Sequence, residues 1–314
     1  MLVESRFSMT ESSEEETVES FVCANIANVS FLHRLGFQYA YFGFRGSHLV
    51  WKFIDKLVKR PSENAIVVLP TGMPLVYTHN DWISRSIFEG SYERPLLWLL
   101  RSCNIQNLYV DVGANVGVTL WHALINAKDG AKWLCYEPST RSLIHLKVLA
   151  SHVTAKGEIS SKAIGSKNGF SRLNGASNPR HSGLGTLREI SNEVGDSVSV
   201  EVTTLDCELS DRSVIIDLLK VDTEGYESEV LKGAQKLLRE ARINNLILEV
   251  SPEFGSLDYL SLLGQILPIG YEWFRIEESG TFRKKLQLIT TNLNECYSST
   301  RQFNLLISRN TKEL

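Results

Sequence analysis

The sequence predicts an α/β protein: a doubly wound, mostly parallel sheet of seven strands, preceded by a helical extension and a β-hairpin. Two observations predict it. From about residue 108 onward, short apolar runs alternate with helix-length segments, the pattern of a parallel sheet covered on both faces. The first run, Tyr109-Val110-Asp111-Val112, enters a glycine-bearing loop, Gly113-Ala114-Asn115-Val116-Gly117, and the next ends in Tyr136-Glu137-Pro138. A strand, a glycine turn, a helix and a second strand ending in an acid form the usual adenosine-binding corner of such sheets.

The elements follow in order. Residues 1–20 are polar, carry Glu14-Glu15-Glu16 and read as a disordered acidic tail. From 21 to 63, Phe31, Leu32, Leu35 and then Val50, Phe53, Ile54, Leu57 recur at helical spacing, so two helices are expected with a break at Gly43 to Gly46. Lys52, Lys56, Lys59 and Arg60 lie among or beyond them, and the extension reads either as packed on the main domain or on a second subunit, or as a basic, aromatic-rich surface for peripheral membrane contact or a lipid-linked acceptor. Residues 64–314 form the main domain. Runs at 65–69 and 75–78 around Pro70-Thr71-Gly72-Met73-Pro74 read as a hairpin, and 81–88 and 95–101 as helices. Strands are expected at 108–112, 133–137, 158–164, 214–221 and 245–250, with helices at 117–127, 140–150, 226–240 and 256–267. Further strands are expected near 271–277, 286–291 and 303–308. The segment 166–212 breaks the alternation; it is rich in Gly, Ser and Asn, holds an alternating run at 198–202, and would lie over the crevice as a lid or as a plain loop.

Composition narrows the function. Net charge is −3, so no global basic field argues for nucleic acid. No apolar run approaches the length of a spanning helix, and the first 20 residues lack a basic region followed by an apolar core, so neither a transmembrane segment nor a secretory signal is expected. The five cysteines, Cys23, Cys103, Cys135, Cys207 and Cys296, are scattered and form no C-x-x-C pair. Reduced thiols in a cytoplasmic protein are the reading, rather than a zinc site or disulfide framework.

The glycine spacing decides between cofactors. A dinucleotide fingerprint starting at Gly113 would need glycines where Asn115 and Val118 stand, which counts against a nicotinamide-dependent oxidoreductase. An acid at Asp111 suits a cationic ligand such as the ammonium of S-adenosylmethionine. The stretch resembles motif I of the class I S-adenosylmethionine-dependent methyltransferases. Leu219-Lys220-Val221-Asp222-Thr223-Glu224-Gly225-Tyr226-Glu227, Val230-Leu231-Lys232-Gly233-Ala234 and Ile247-Leu248-Glu249-Val250-Ser251-Pro252 are similar to the FkbM family of methyltransferases, as are Gly90-Ser91-Tyr92-Glu93 and Phe303-Asn304-Leu305-Leu306. The resemblance covers roughly 64–309. It implies a Rossmann-like methyltransferase sheet, S-adenosyl-L-methionine as cofactor, and methyl transfer, often to a hydroxyl of a sugar, glycan or secondary metabolite. Nitrogen or carbon methylation on the same fold and a noncatalytic adaptor are the alternatives, and Asp222-Thr223-Glu224 is not the Asn-Pro-Pro-Tyr type of loop common in amino-group methylation.

The candidate cofactor residues are Asp111 for the amino group, Gly113, Ala114, Asn115 and Gly117 for close backbone approach, Glu137 for the ribose hydroxyls, and Glu93 for the methionine end or, alternatively, as a helix cap. Candidate catalytic residues are Lys220 and Asp222, two apart and so on one side of a strand, with Glu224 and Glu249 nearby. One carboxylate could act as a base with a raised pKa, or Asp222 and Glu249 could hold a divalent cation. The competing reading is that Lys220 only neutralises Asp222 and Glu224 caps the next helix. His181, in the expected lid, is a further base candidate or a bystander.

Overall fold

The computed structural model describes residues 26–174, 187, 197–211, 214–251, 256–299 and 301–309. The expected acidic tail at 1–20 lies outside them. A short strand β1 (Ile26–Ala27) leads into helices α1 (Phe31–Tyr41) and α2 (Ser47–Leu57). Ser30 caps α1, its side chain accepting from His33 N. The break falls at 43–46, where Gly43 and Gly46 both take positive φ. Strands β2 (Ala65–Val68) and β3 (Pro74–Tyr77) form the antiparallel hairpin, and β1 adds to it in parallel. Helices α3 (Trp82–Phe88) and α4 (Arg94–Ser102) follow.

The main sheet then begins with β4 (Leu108–Val112), α5 (Val118–Leu124), β5 (Lys132–Tyr136), α6 (Thr140–Ala150) and β6 (Lys156–Ser160). Strands β7 (Ala163–Ile164), β8 (Gly169–Asn174) and β9 (Ser197–Thr203) form a separate small sheet, followed by α7 (Leu205–Glu208). The main sheet resumes with β10 (Ile216–Val221), α8 (Glu227–Lys232), α9 (Gln235–Arg239), β11 (Ile243–Val250) and α10 (Ser256–Ile266). It ends with β12 (Glu272–Ser279), β13 (Lys285–Thr291), α11 (Leu293–Ser298) and β14 (Phe303–Ser308).

The main sheet has the order β13-β12-β14-β11-β10-β4-β5-β6. Five neighbouring strands, β6, β5, β4, β10 and β11, run parallel, while β14 is antiparallel to both of its neighbours. The chain moves outward from β4 in one direction, returns, and moves outward from β10 in the other. The switch point between β4 and β10 opens a crevice at their carboxyl ends, where ligands bind in open α/β sheets. Every residue of β4 and β10 is buried, which explains why these runs carry apolar residues on both faces rather than alternating, with Asp111, Asp217 and Lys220 the buried exceptions.

Three expectations change. The sheet has eight strands rather than seven, since all eight runs expected as strands from residue 108 onward, outside the 166–212 segment, join it, the 286–291 run as edge strand β13. The expected strand at 158–164 divides at Ser161–Lys162: its first part joins the main sheet and its last two residues pair with β9. The expected helix at 226–240 divides at Gly233, whose Cα packs so closely against the Gly165 carbonyl that an added Cβ would lie 2.0 Å from that oxygen.

The N-terminal helices share the core of the sheet. Phe37, Tyr41, Trp51 and Ile54 belong to one buried cluster with Leu75, Leu96, Leu100 and Leu218, each fully buried aliphatic side chain contributing about 1.5–3 kcal/mol. The carboxyl end of α1 is tied down at several points. Arg94 Nη1 donates to Ala40 O (2.8 Å), Trp98 Nε1 to Tyr41 O (3.1 Å), and Lys284 N to Gly43 O (2.7 Å). A Cβ on Gly43 (φ 77°) would stand 2.6 Å from Lys284 O. Gly46 has nearly the same φ, but nothing lies within 4 Å of its Cβ position. Gly43→Ala should therefore cost about 2–4 kcal/mol and Gly46→Ala about 1 kcal/mol, read as lowered urea midpoints at unchanged slope. Equal losses would show that the contact with the hairpin has no energetic weight.

Candidate active site

The crevice at the switch point is built from four loops. The turn after β4 supplies Gly113, Ala114 and Asn115; the turn after β5 supplies Glu137 and Ser139; the end of β10 and its following turn supply Lys220, Asp222, Thr223 and Glu224; β11 supplies Glu249. Tyr92 and Glu93, before α4, close one side, and Leu173 and Leu187, from the small-sheet segment, line the crevice as well. Its cavity measures about 230 Å³.

The β4 turn is shaped by tight packing. Gly113 has φ 79°, and a Cβ there would lie 1.8 Å from Asp222 O, so only glycine lets the two strand ends meet. Asn115 sits at φ 48°, and its backbone N–H donates to Glu137 Oε2 at 2.8 Å. Glu137 Oε1 accepts from Ser139 N at 2.8 Å. Each carboxylate oxygen keeps a further lone pair. Burial raises the Glu137 pKa to about 7 against these two backbone donors, which pull it down.

Asp111 is fully buried and does not line the crevice. Its Oδ2 accepts from Tyr109 Oη (2.8 Å) and Thr119 Oγ1 (2.6 Å); its Oδ1 has no hydrogen-bond partner among the described residues and lies 3.6 Å from Lys220 Nζ. Lys220, 4% exposed, bridges to Asp222 Oδ2 at 3.1 Å. Despite its burial, the carboxylates Asp222, Asp111 and Glu93 raise its pKa, so it stays an ammonium.

Four carboxyl groups, Glu93, Asp222, Glu224 and Glu249, thus face one ammonium. Burial and then the charge of Asp222 raise Glu93 to about 7, Glu224 to about 8 and Glu249 to about 9. Gln302 Nε2 donates to Glu249 Oε1. Among the described residues, five that are not glycine have positive φ, and three of them, Glu93 (31°), Asn115 (48°) and Glu224 (53°), lie in this crevice. Strain gathered at one place is a mark of a functional site.

The structure places most of the expected residues together. Glu93, Gly113, Ala114, Asn115, Glu137, Lys220, Asp222, Glu224 and Glu249 line the crevice, whereas Asp111 and Gly117 stand behind it. His181 lies outside the described residues. Neither capping alternative holds. Glu93 occupies the N-cap position of α4, but its side chain makes no capping hydrogen bond. Glu227, not Glu224, ties the β10 turn: its Oε1 accepts from Thr223 N (2.8 Å), Thr223 Oγ1 (3.0 Å) and Gly225 N (3.2 Å). Neutralisation of Asp222 by Lys220 is present. Among the described residues, no group of three His, Cys, Asp or Glu is arranged to hold a metal ion, and a divalent ion beside Asp222 would meet the Lys220 ammonium.

Sequence reasoning missed Tyr109, Thr119, Glu227 and Gln302. Tyr109 shares the strand side of Asp111 by its period-two spacing, and Thr119 lies in the first turn of α5, so both were within reach of pattern reasoning. Gln302, far along the chain from Glu249, carried no local signal.

The model of the methyltransferase FkbM domain matches residues 111–272, just over half of the 314 residues. The chain belongs to the FkbM methyltransferase family. It is an S-adenosylmethionine-dependent methyltransferase, and the matched segment holds the β4 turn, Glu137 and the carboxylates of β10 and β11. Among solved structures, a SAM-dependent methyltransferase from Agrobacterium tumefaciens is 9% identical, with 80% of this chain and 72% of that chain covered and a TM-score of 0.40. Precorrin-6y C5,15-methyltransferase from Geobacter metallireducens GS-15 is 10% identical over 69% of this chain and 88% of its own, with a TM-score of 0.34. TYW2 from P. horikoshii, in complex with MeSAdo, is 9% identical over 84% and 83%, with a TM-score of 0.33. No curated protein matches the sequence. No helix among the described residues is long and apolar enough to cross a membrane.

The raised carboxyls set a pH dependence. A carboxyl with a higher pKa folded than unfolded (4.5) holds its proton more tightly when folded, so the stability it contributes is full below pH 4.5 and falls as pH rises through about 7 to 9. Glu249→Gln should remove part of this loss. The ligand-free variant should gain urea resistance over the parent between about pH 5 and about pH 9; a constant difference between the two proteins would show that Glu249 is not held protonated.

Proposed function

We propose that this methyltransferase transfers the methyl group of S-adenosylmethionine to a hydroxyl oxygen of a sugar, glycan or other small-molecule acceptor. The observation that carries the reading is the gathering of Glu93, Asp222, Glu224 and Glu249 in one crevice beside the single Lys220 ammonium, where burial and the charge of Asp222 raise the pKa of the three glutamates. An excess of acid over base suits a ligand bearing a sulfonium and an α-ammonium. A hydroxyl acceptor must also lose its proton as the new bond forms, and a carboxyl of pKa near the working pH is suited to take it.

In this reading the cofactor supplies an activated methyl on its sulfonium. Glu137 would accept from the ribose hydroxyls with the lone pairs that Asn115 and Ser139 leave free. The backbone of Gly113, Ala114 and Asn115 would hold the adenosine-bearing part, and Glu93 would hold the methionine end. Asp111 is a positioning residue: buried beneath Lys220, it fixes the ammonium that in turn holds Asp222. Asp222 orients the acceptor hydroxyl, and Glu249, with Glu224 beside it, receives the proton. Positioning and proton removal are what the protein adds to an electrophile that is already activated.

Glu137→Ala should weaken S-adenosylmethionine binding by about 1–3 kcal/mol, measured by calorimetry; undiminished binding would remove the ribose role. Asp222→Asn should lower single-turnover methyl transfer by about 100-fold or more while cofactor affinity changes little. An unchanged rate would take Asp222 out of the chemistry. The class of reaction is tested by incubating the protein with methyl-labelled S-adenosylmethionine and a panel of sugars, glycans and hydroxylated metabolites, then locating the label by mass spectrometry. A methyl ether is expected; a methylated amine or carbon would overturn the oxygen-directed reading.

A further inference from the structure

Away from the crevice, a second cavity of about 540 Å³ opens between the carboxyl end of α1, the β2–β3 hairpin, α4 and the start of β13. Arg101, Arg283, Lys284 and Lys285 line it, and among the described residues no Asp or Glu does. Among the described residues none of these four cations makes an ion pair, whereas two other arginines of the same region do: Arg94 pairs with Glu278 at 2.9 Å and Arg275 with Glu277 at 3.1 Å. A chain with net charge −3 thus gathers four positive charges in one concavity, with no ion-pair partner among the described residues, and a concave site focuses such a field on a small anion.

The two guanidinium groups are held by aromatic rings instead of acids. Arg101 lies 6.0 Å from the Tyr41 ring centroid and donates through Nη1 to Tyr41 Oη at 3.2 Å. Arg283 lies 5.6 Å from Phe42 and 5.5 Å from Phe44 and donates through Nε to Phe42 O at 3.1 Å. A guanidinium has five N–H donors, so each keeps most of its fork for a ligand. Rings in these positions orient the fork without neutralising it. The walls are fixed to each other by the Lys284 N to Gly43 O bond, the antiparallel bridge between Phe44 and Arg283, and the Trp98 Nε1 to Tyr41 O bond.

We propose that this groove is a binding site for a phosphate-bearing ligand, with Arg101, Arg283, Lys284 and Lys285 taking the phosphate oxygens and Phe42 and Trp98 covering the uncharged part. Arginine forks match phosphate oxygens in geometry as well as charge. The groove and the crevice share no lining residue. A small cavity of about 10 Å³, bordered by Tyr41, Tyr92, Val118 and His122, lies by residues of both. The groove is therefore a separate site and does not depend on the methyl-transfer reading. Its ligand is either a soluble phosphorylated molecule or the phosphate headgroup of a lipid.

The test uses the full chain and inorganic pyrophosphate, titrated by calorimetry at low ionic strength. Binding is expected, weakened at least about tenfold in the double variant Arg101→Gln, Arg283→Gln, with S-adenosylmethionine affinity unchanged. Absence of pyrophosphate binding, or equal binding by the double variant, overturns the proposal. Should the double variant fail to fold, protection in the parent protein decides: pyrophosphate should shield Lys284 and Lys285 from acetylation by acetic anhydride, read by peptide mass spectrometry, and unshielded lysines overturn the proposal. Sedimentation with vesicles of phosphatidylcholine and phosphatidic acid in equal amounts separates the sources. Capture that the double variant loses supports a lipid headgroup, and pyrophosphate binding without capture supports a soluble ligand.

Discussion

Lys220 is the residue on which the centre of this fold depends. The two strands flanking the switch point each bring an acid to its edge: Asp111, without solvent contact, and Asp222, at the crevice wall. The Lys220 ammonium lies within 3.6 Å of the first and 3.1 Å of the second. Without it, two negative charges would face each other across a backbone contact so close that residue 113 must be glycine. Removing one partner from a buried ionic group costs about 3–5 kcal/mol, because the charges left behind are uncompensated. Tyr109 and Thr119, which donate to Asp111, and Glu227, which ties the turn after Asp222, hold the bridge from either side.

One cation for this many acids leaves the crevice with surplus negative charge, and the protein accommodates it by protonation. Glu93, Glu224 and Glu249 are raised in pKa because burial and Asp222 disfavour their charged forms. A cationic ligand reverses the balance by stabilising the ionised carboxylates. Ligand entry and proton release are then linked, so the state of the proposed base is coupled to occupancy of the cofactor pocket. Backbone strain at Glu93, Asn115 and Glu224 belongs to the same economy: these residues hold polar groups in positions that relaxed loops would not supply.

Much of this was legible in the sequence. The β4 strand was expected over 108–112 and spans Leu108–Val112, because a fully buried parallel strand is a continuous apolar run with a sharp glycine stop. The convergence of Lys220, Asp222, Glu224 and Glu249 followed from period-two spacing and from the rule that ligands sit at strand carboxyl ends. Three features were not legible. Gln302 reaches Glu249 from another strand, and no local pattern records that contact. Asp111 faces inward to Lys220 rather than outward to the crevice; spacing places Tyr109 and Thr119 near it, but the turn of its carboxylate is fixed only by the packing of their hydroxyls and of Lys220 around it. The division of the 226–240 helix at Gly233 depends on its closeness to Gly165, a tertiary approach that helix propensity does not register.

The bridge between Phe44 and Arg283, with the neighbouring bond from Arg283 to Phe42 across 241 residues of sequence, bears on how the chain assembles. Helix α1 is synthesised well before the β12–β13 hairpin, and although Arg94 and Trp98 can bind its carboxyl end early, the bonds to Lys284 and Arg283 form only when that hairpin has been made. Contacts of such long range are slow to form, since the loop they close must be ordered first. During synthesis the rings of Phe42 and Phe44 therefore wait for the Arg283 guanidinium that packs on them.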